Sequence, residues 1–129
     1  MFKQHIKIEP SKISVSSLDD KLIKKALDYT EANISNPEFS VEELSRELGM
    51  SRVHLYKKLL SITGKTPIEF IRVIRLKRAA QLLEESQLSV SEIAYEVGFN
   101  NPKYFRKYFK DEFDVLPSQY GNRKGAVDE

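Results

Sequence analysis

The stretches FSVEELSRELGMS (residues 39–51) and LSVSEIAYEVGFN (residues 88–100) are two copies of one pattern, offset by 49 residues. In each, Ser-Val opens a run with Glu three residues after the Ser (Glu43, Glu92), an aliphatic residue follows at Leu44 or Ile93, and Gly closes it at Gly49 or Gly98. Ser with Glu three places on is a capping box, in which each side chain satisfies a backbone N–H that the first helical turn leaves unpaired. Gly at the far end supplies the left-handed conformation that stops a helix. Beyond the Gly the offset becomes 50, because the second turn is one residue longer; Leu55 then matches Phe105, Leu59 matches Phe109 and Pro67 matches Pro117. Self-similarity of this kind marks a repeated supersecondary unit. Here it is helix, Gly turn, helix.

Working outward, Ser51 caps a helix whose Leu55, Leu59 and Ile62 share one face, ended by Thr63-Gly64. Thr66, with Pro67 at the first helical position and Glu69 at the third, starts a long helix to about Glu85. Its apolar residues Ile68, Ile71, Ile74, Leu76, Ala79, Ala80, Leu82 and Leu83 occupy more than one face, as a linker packed at both ends requires. Asn100 or Asn101 caps a later helix with Pro102 in its first turn and Phe105, Phe109 and Phe113 as its buried stripe; the segment 116–120 reads as a final turn. Upstream, Asp19 or Asp20 caps a helix bearing Leu22, Ile23, Ala26, Leu27 and Ile34, closed by Asn36-Pro37. Residues 1–18 read as a tail or linker, with short extended pieces at Ile6, Ile8, Ile13 and Val15 interrupted by Pro10. The expected class is all-α, about seven helices, as two helix-turn-helix subdomains (19–66 and 87–121) joined by a long linker helix (67–86), with a disordered tail over 122–129.

Composition sets limits. The chain has 129 residues, 40% hydrophobic and 31% charged, with a net charge of +2; this is ordinary for a globular domain. It has no cysteine, which removes disulfides and Cys-ligated zinc. No run approaches the ~20 apolar residues of a membrane span, and MFKQHIKIEP does not read as a signal peptide. A cytoplasmic setting without membrane contact is the expectation. His54 has only His5 for company, so no metal set is expected, and His54 reads as an exposed or phosphate-touching residue. No Gly-rich phosphate loop, nucleophile or acid/base pair stands at a meaningful spacing. The expectation is a non-enzyme without a cofactor.

The charge pattern points to double-stranded DNA. In a helix-turn-helix the first helix braces the second, which lies in the major groove if its outward face is polar and basic. Setting aside the buried positions leaves Arg52, Val53, His54, Tyr56, Lys57 and Lys58 outward on one second helix, and Pro102, Lys103, Arg106, Lys107 and Lys110 on the other. Neither 51–60 nor 100–110 contains an acidic residue; the acids sit on the bracing helices, at Glu42, Glu43, Glu47, Glu92 and Glu96. A phosphate-facing surface needs that segregation. A linker helix of this length spans roughly 28 Å, against roughly 34 Å between successive major grooves on one side of a duplex. Arg72, Arg75, Lys77 and Arg78 form a further basic cluster on it, either solvated or facing DNA.

The elements SVEELSRELGMSRVHLYKKL, TGKTPIEFIRVIRLKRAAQLL and SVSEIAYEVGFNNPKYFRKYFKDEFDVLPSQY resemble the DNA-binding domain of the AraC-type (arabinose regulator) family of bacterial transcription factors, from about Asp20 to Tyr120. Asp114 stands where many members carry Gly. EPSKISVSSLDDK is similar to the lead into the output end of hybrid two-component regulators, which implies a longer parent chain with sensor and receiver domains. The resemblance implies base reading by Val53, Tyr56 and Lys57 in the first unit. In the second it implies Lys103, Tyr104 and Lys107, with Pro102 where the helix begins. Arg52, Lys58, Asn101 and Arg106 would meet phosphates. The implied partner is promoter or operator DNA, with RNA polymerase as a further candidate, and the isolated domain is expected to be monomeric.

Two other readings use the same residues. Val53 and Tyr56 would be anchors if the chain were a helical protein-interaction module docking to RNA polymerase or a sensor domain. Tyr104, Phe105, Tyr108, Phe109 and Phe113 would stack on bases if the partner were single-stranded, although the spacing of Phe105 and Phe109 suits a core.

Overall fold

The computed structural model describes residues 10–121, and their side chains from residue 17 onward. It contains six α-helices, α1 (Pro10–Ala32), α2 (Val41–Glu47), α3 (Arg52–Thr63), α4 (Pro67–Glu85), α5 (Val90–Glu96) and α6 (Pro102–Phe113), then a 3-10 turn at Pro117–Gln119. No strand occurs among the described residues, in line with the all-α expectation. No described helix is long and apolar enough to cross a membrane. The chain folds as two units. One takes residues up to Ala32 together with Phe39–Ile71, the other Asn33–Glu38 together with the chain from Arg72 on. By these bounds α4 belongs in part to each unit, Pro67–Ile71 to one and the rest to the other.

The first unit is built by α1, α2, α3 and the start of α4. Ser51 and Ser40 cap α3 and α2 by accepting from the N–H groups of His54 and Glu43. The first box forms by its serine half; the reciprocal pair forms instead at Thr66 and Glu69, where α4 begins. Ala26, Phe39, Leu44, Leu55, Leu59, Phe70 and Ile71 are buried. Tyr29 packs on Phe39 at 5.7 Å between ring centroids. Two expectations are corrected here. α1 begins at Pro10, not at Asp19, so Ile13 and Val15 are helical; proline suits the first helical position, and nothing between it and Asp19 breaks a helix. Ile6 and Ile8 lie outside the described residues, as does the tail 122–129. Ile68, one of the apolar residues expected over more than one face of α4, is 61% exposed: it shares the face of Ile71 and Arg75, but the covering of that face begins only at Ile71.

The second unit closes around Leu76, Ala79, Ala80, Leu83, Val90, Ile93, Ala94, Val97, Phe105 and Phe109. A chain of ring contacts runs Phe99–Phe105–Phe109–Phe113, with Tyr120 edge-on to Phe109. Ser89 and Glu92 form the full capping box of α5. Asn101 caps α6, accepting from the Lys103 N–H at 2.9 Å. That helix ends at Asp114, at φ 66°, the one non-glycine with positive φ among the described residues; aspartate tolerates that region better than most residues. Ile34 lies beyond the end of α1 and packs against this second core, which draws segment 33–38 into the second unit.

Candidate nucleic-acid interface

Each unit presents its second helix on a glycine turn. Gly49 has φ 70° and Gly98 φ 94°, values that a side chain resists. In the first unit Leu55 and Leu59 are fully buried, which turns the rest of α3 outward. Arg52, His54 and Lys57 are exposed, Val53 is 65% exposed and Tyr56 47%. Lys58 departs from this set: it is half-buried, with its ammonium 3.3 Å from a carboxylate oxygen of Asp19 on α1.

In the second unit Phe105 and Phe109 are fully buried, and Lys103, Tyr104, Lys107 and Lys110 are exposed. Asn101, Pro102 and Arg106 are half-buried along the edge of α6. Lys107 makes an ion pair with Asp111 at 3.2 Å. A single-strand stacking platform is not formed, since Phe105 and Phe109 lie in the core and only Tyr104 of that group is well exposed.

The basic cluster expected on α4 separates into three environments. Lys77 and Arg78 are exposed, and Arg78 donates to Gln81 at 2.9 Å. Arg72 lies with its guanidinium carbon 4.2 Å from the centroid of the Tyr108 ring, a cation–π contact. Arg75 is buried, at 7% exposure, and this corrects its placement on a surface patch. Its Nη1 donates to the carbonyls of Ile34 (2.7 Å) and Val97 (2.9 Å), and its Nη2 to that of Asn36 (3.1 Å). Burial lowers its pKa from the ordinary guanidinium value. Spacing could have revealed it. Ile71, Arg75, Ala79 and Leu83 recur every four residues and all are buried, so Arg75 sits in the apolar stripe.

The described residues hold no group of three or more His, Asp or Glu able to ligate a metal, and His54 is exposed with its backbone N–H on the Ser51 hydroxyl. What remains is a pair of helices with cationic and partly aromatic outer faces, free of acids within 51–60 and 100–110.

Comparison with known proteins places these helices in context. A family model described as a helix-turn-helix domain matches residues 44–123. A histidine kinase P4 of Formosa agariphila is 52% identical over 116 residues, which are 90% of this chain and 8% of the kinase. The HTH-type transcriptional regulator MtrA of Neisseria gonorrhoeae is 35% identical over 81% of this chain and 33% of its own length. The chain thus spans a third or less of these curated relatives. Among solved structures, the C-terminal domain of AraT, a response regulator from Geobacillus stearothermophilus, superposes with TM-score 0.69 at 30% identity, covering 77% of this chain and 82% of that one. The DNA-binding domain of the transcriptional factor AdpA, in complex with a target DNA, does so with TM-score 0.66 at 29% identity, covering 78% and 86%.

Proposed function

This chain belongs to the AraC-type helix-turn-helix domain family, and from that premise we propose that it binds double-stranded DNA sequence-specifically as the output domain of a bacterial transcription regulator. One observation supports this above the others. α3 and α6, equivalent in the repeat, bury their apolar sides and turn outward faces that carry lysine, arginine and tyrosine, with no acid within 51–60 or 100–110. Such faces match the phosphate-lined walls and the acceptor-rich floor of a major groove.

Val53, Tyr56 and Lys57 read bases from α3, and Lys103, Tyr104 and Lys107 from α6, with Pro102 pressed close where that helix begins. Val53 offers only packing, which suits a thymine methyl; a lysine donates to guanine O6 and N7 without the fork of an arginine. Arg52 and Arg106 meet phosphates, assisted by His54 and Asn101. Lys58 joins them once it exchanges Asp19 for a phosphate. The small share of the Formosa histidine kinase that this chain spans supports a parent protein with sensor and receiver domains. A docking role toward RNA polymerase, using Val53 and Tyr56 as anchors, is the competing use of the same surface.

Fluorescence anisotropy with promoter duplexes tests the reading. Specific, salt-dependent binding is expected, weakened when Lys57 and Lys107 are both changed to Ala. Retention of a protein partner after nuclease treatment, with no affinity for any duplex, would favour the docking role instead.

A further inference from the structure

Lys57 of α3 and Lys107 of α6 are counterparts in the repeat, yet their states differ. The Lys107 ammonium is 3.2 Å from a carboxylate oxygen of Asp111, one turn further along α6, and 5.2 Å from the centroid of the Tyr108 ring. At the place matching Asp111, α3 has Ser61, and Lys57 forms no ion pair among the described residues.

Helix stability does not account for the carboxylate. The pair runs from Lys to the acid in the chain direction, the weaker order for an i,i+4 pair. Its side chains are 65% and 63% exposed, so solvent screens most of the attraction. Asp111 also stands near the C-terminal end of its helix (Pro102–Phe113), where the backbone dipole disfavours a negative charge. Its consequence therefore lies in what else Lys107 can bind.

Resting on the DNA-binding reading above, we propose that Asp111 is an intramolecular competitor for DNA at Lys107. The central lysine of the second unit has to leave its own carboxylate before it reaches a base or a phosphate, whereas that of the first unit does not. The vacated carboxylate then faces a polyanion, so contact through α6 is penalised on any duplex. The penalty is offset where Lys107 gains an acceptor as good as the one it left, such as guanine O6 and N7. Asp111 thus weakens DNA contact through α6 whatever the sequence, and sets no base preference of its own.

The test uses the full chain, a duplex selected by the wild type from a random pool, and a scrambled duplex, titrated by anisotropy over a salt series. D111N is expected to bind both duplexes severalfold more tightly, with little change in the ratio of selected to scrambled affinity. With Lys107 replaced by Ala, the same substitution should change affinity much less. S61D should install the competitor in the first unit and weaken binding. Asp111→Ser, which copies Ser61, gives an independent variant, and thermal melting of each reports the fold. Equal tightening with and without Lys107 would reduce the effect to bulk charge and overturn the proposal; so would an unchanged D111N. Failure of the wild type to bind any duplex would sink the DNA reading itself and this inference with it, whereas a binding wild type with an inert D111N sinks this inference alone.

Discussion

The guanidinium of Arg75 fills the space that a side chain at Gly98 would need. A Cβ built on Gly98 collides with Arg75 Nη1 and with the Ile34 carbonyl oxygen, whereas one built on Gly49 meets nothing within 4 Å. The two turn glycines share a backbone conformation but not a task. Gly98 also opens a path for a buried cation to reach carbonyls from two separate segments of the chain. One of these, Val97, is the C-cap of α5, where positive charge is favoured.

Replacing Arg75 by Ala leaves three carbonyls without their donor. At ~1–3 kcal/mol for a buried acceptor left unsatisfied, and allowing for water reaching some of them, the expected loss is about 2–4 kcal/mol in urea denaturation. Arg75→Lys keeps the charge but cannot match the fork, and should lie between Ala and the wild type. Since arginine stays protonated at any working pH, the deficit should not vary between acid and neutral buffers.

The glycines should differ in the same assay. Gly49→Ala encounters only the backbone cost of the left-handed region, about 1–2 kcal/mol. Gly98→Ala adds a collision with a peptide carbonyl and should cost about 3–5 kcal/mol, in the range where a specific steric cause is needed. Equal losses at the two positions would refute the close packing of Arg75 against Gly98.

The hydroxyl of Thr30 is buried with no hydrogen-bond partner. Exchanging it for a methyl group removes an unsatisfied polar atom at nearly constant shape. Thr30→Val is therefore expected to stabilise by about 1 kcal/mol, seen as a higher melting temperature.

On the proposed interface, Arg52→Ala and Lys57→Ala should separate by their signatures. Loss of a phosphate contact at Arg52 should weaken all duplexes alike and reduce the salt slope by about 0.9. Loss of a base contact at Lys57 should cost about 1–3 kcal/mol on the selected duplex and relax the preference at one position. Anisotropy titrations on a panel of single-base variants distinguish the two.

Much of this was legible in the amino-acid order. Ser40, Ser51, Thr66, Ser89 and Asn101 announce helix starts, and Gly49 and Gly98 the turns, because caps and periodicity act within four or five residues. Leu55, Leu59, Phe105 and Phe109 declare which faces are buried, and with that the outward direction of Val53, Tyr56, Lys57, Lys103 and Lys107. Asp111 is one turn from Lys107 in the sequence, but spacing alone gives an exposed i,i+4 pair no consequence. The start of α1 is not legible in the sequence, because Pro10 reads equally as a breaker and as a first helical residue.

Sequence alone determined the helices, the duplication, and the cationic faces of α3 and α6, all of which follow from local spacing. Tertiary structure decided that Arg75 is an internal donor, that Ile34 belongs to the second core, and that Lys58 rests on Asp19. The reason is range. Arg75 finds its acceptors 22, 39 and 41 residues away along the chain, and no periodicity within a helix specifies partners at such separations; only the packed fold brings them within hydrogen-bonding distance.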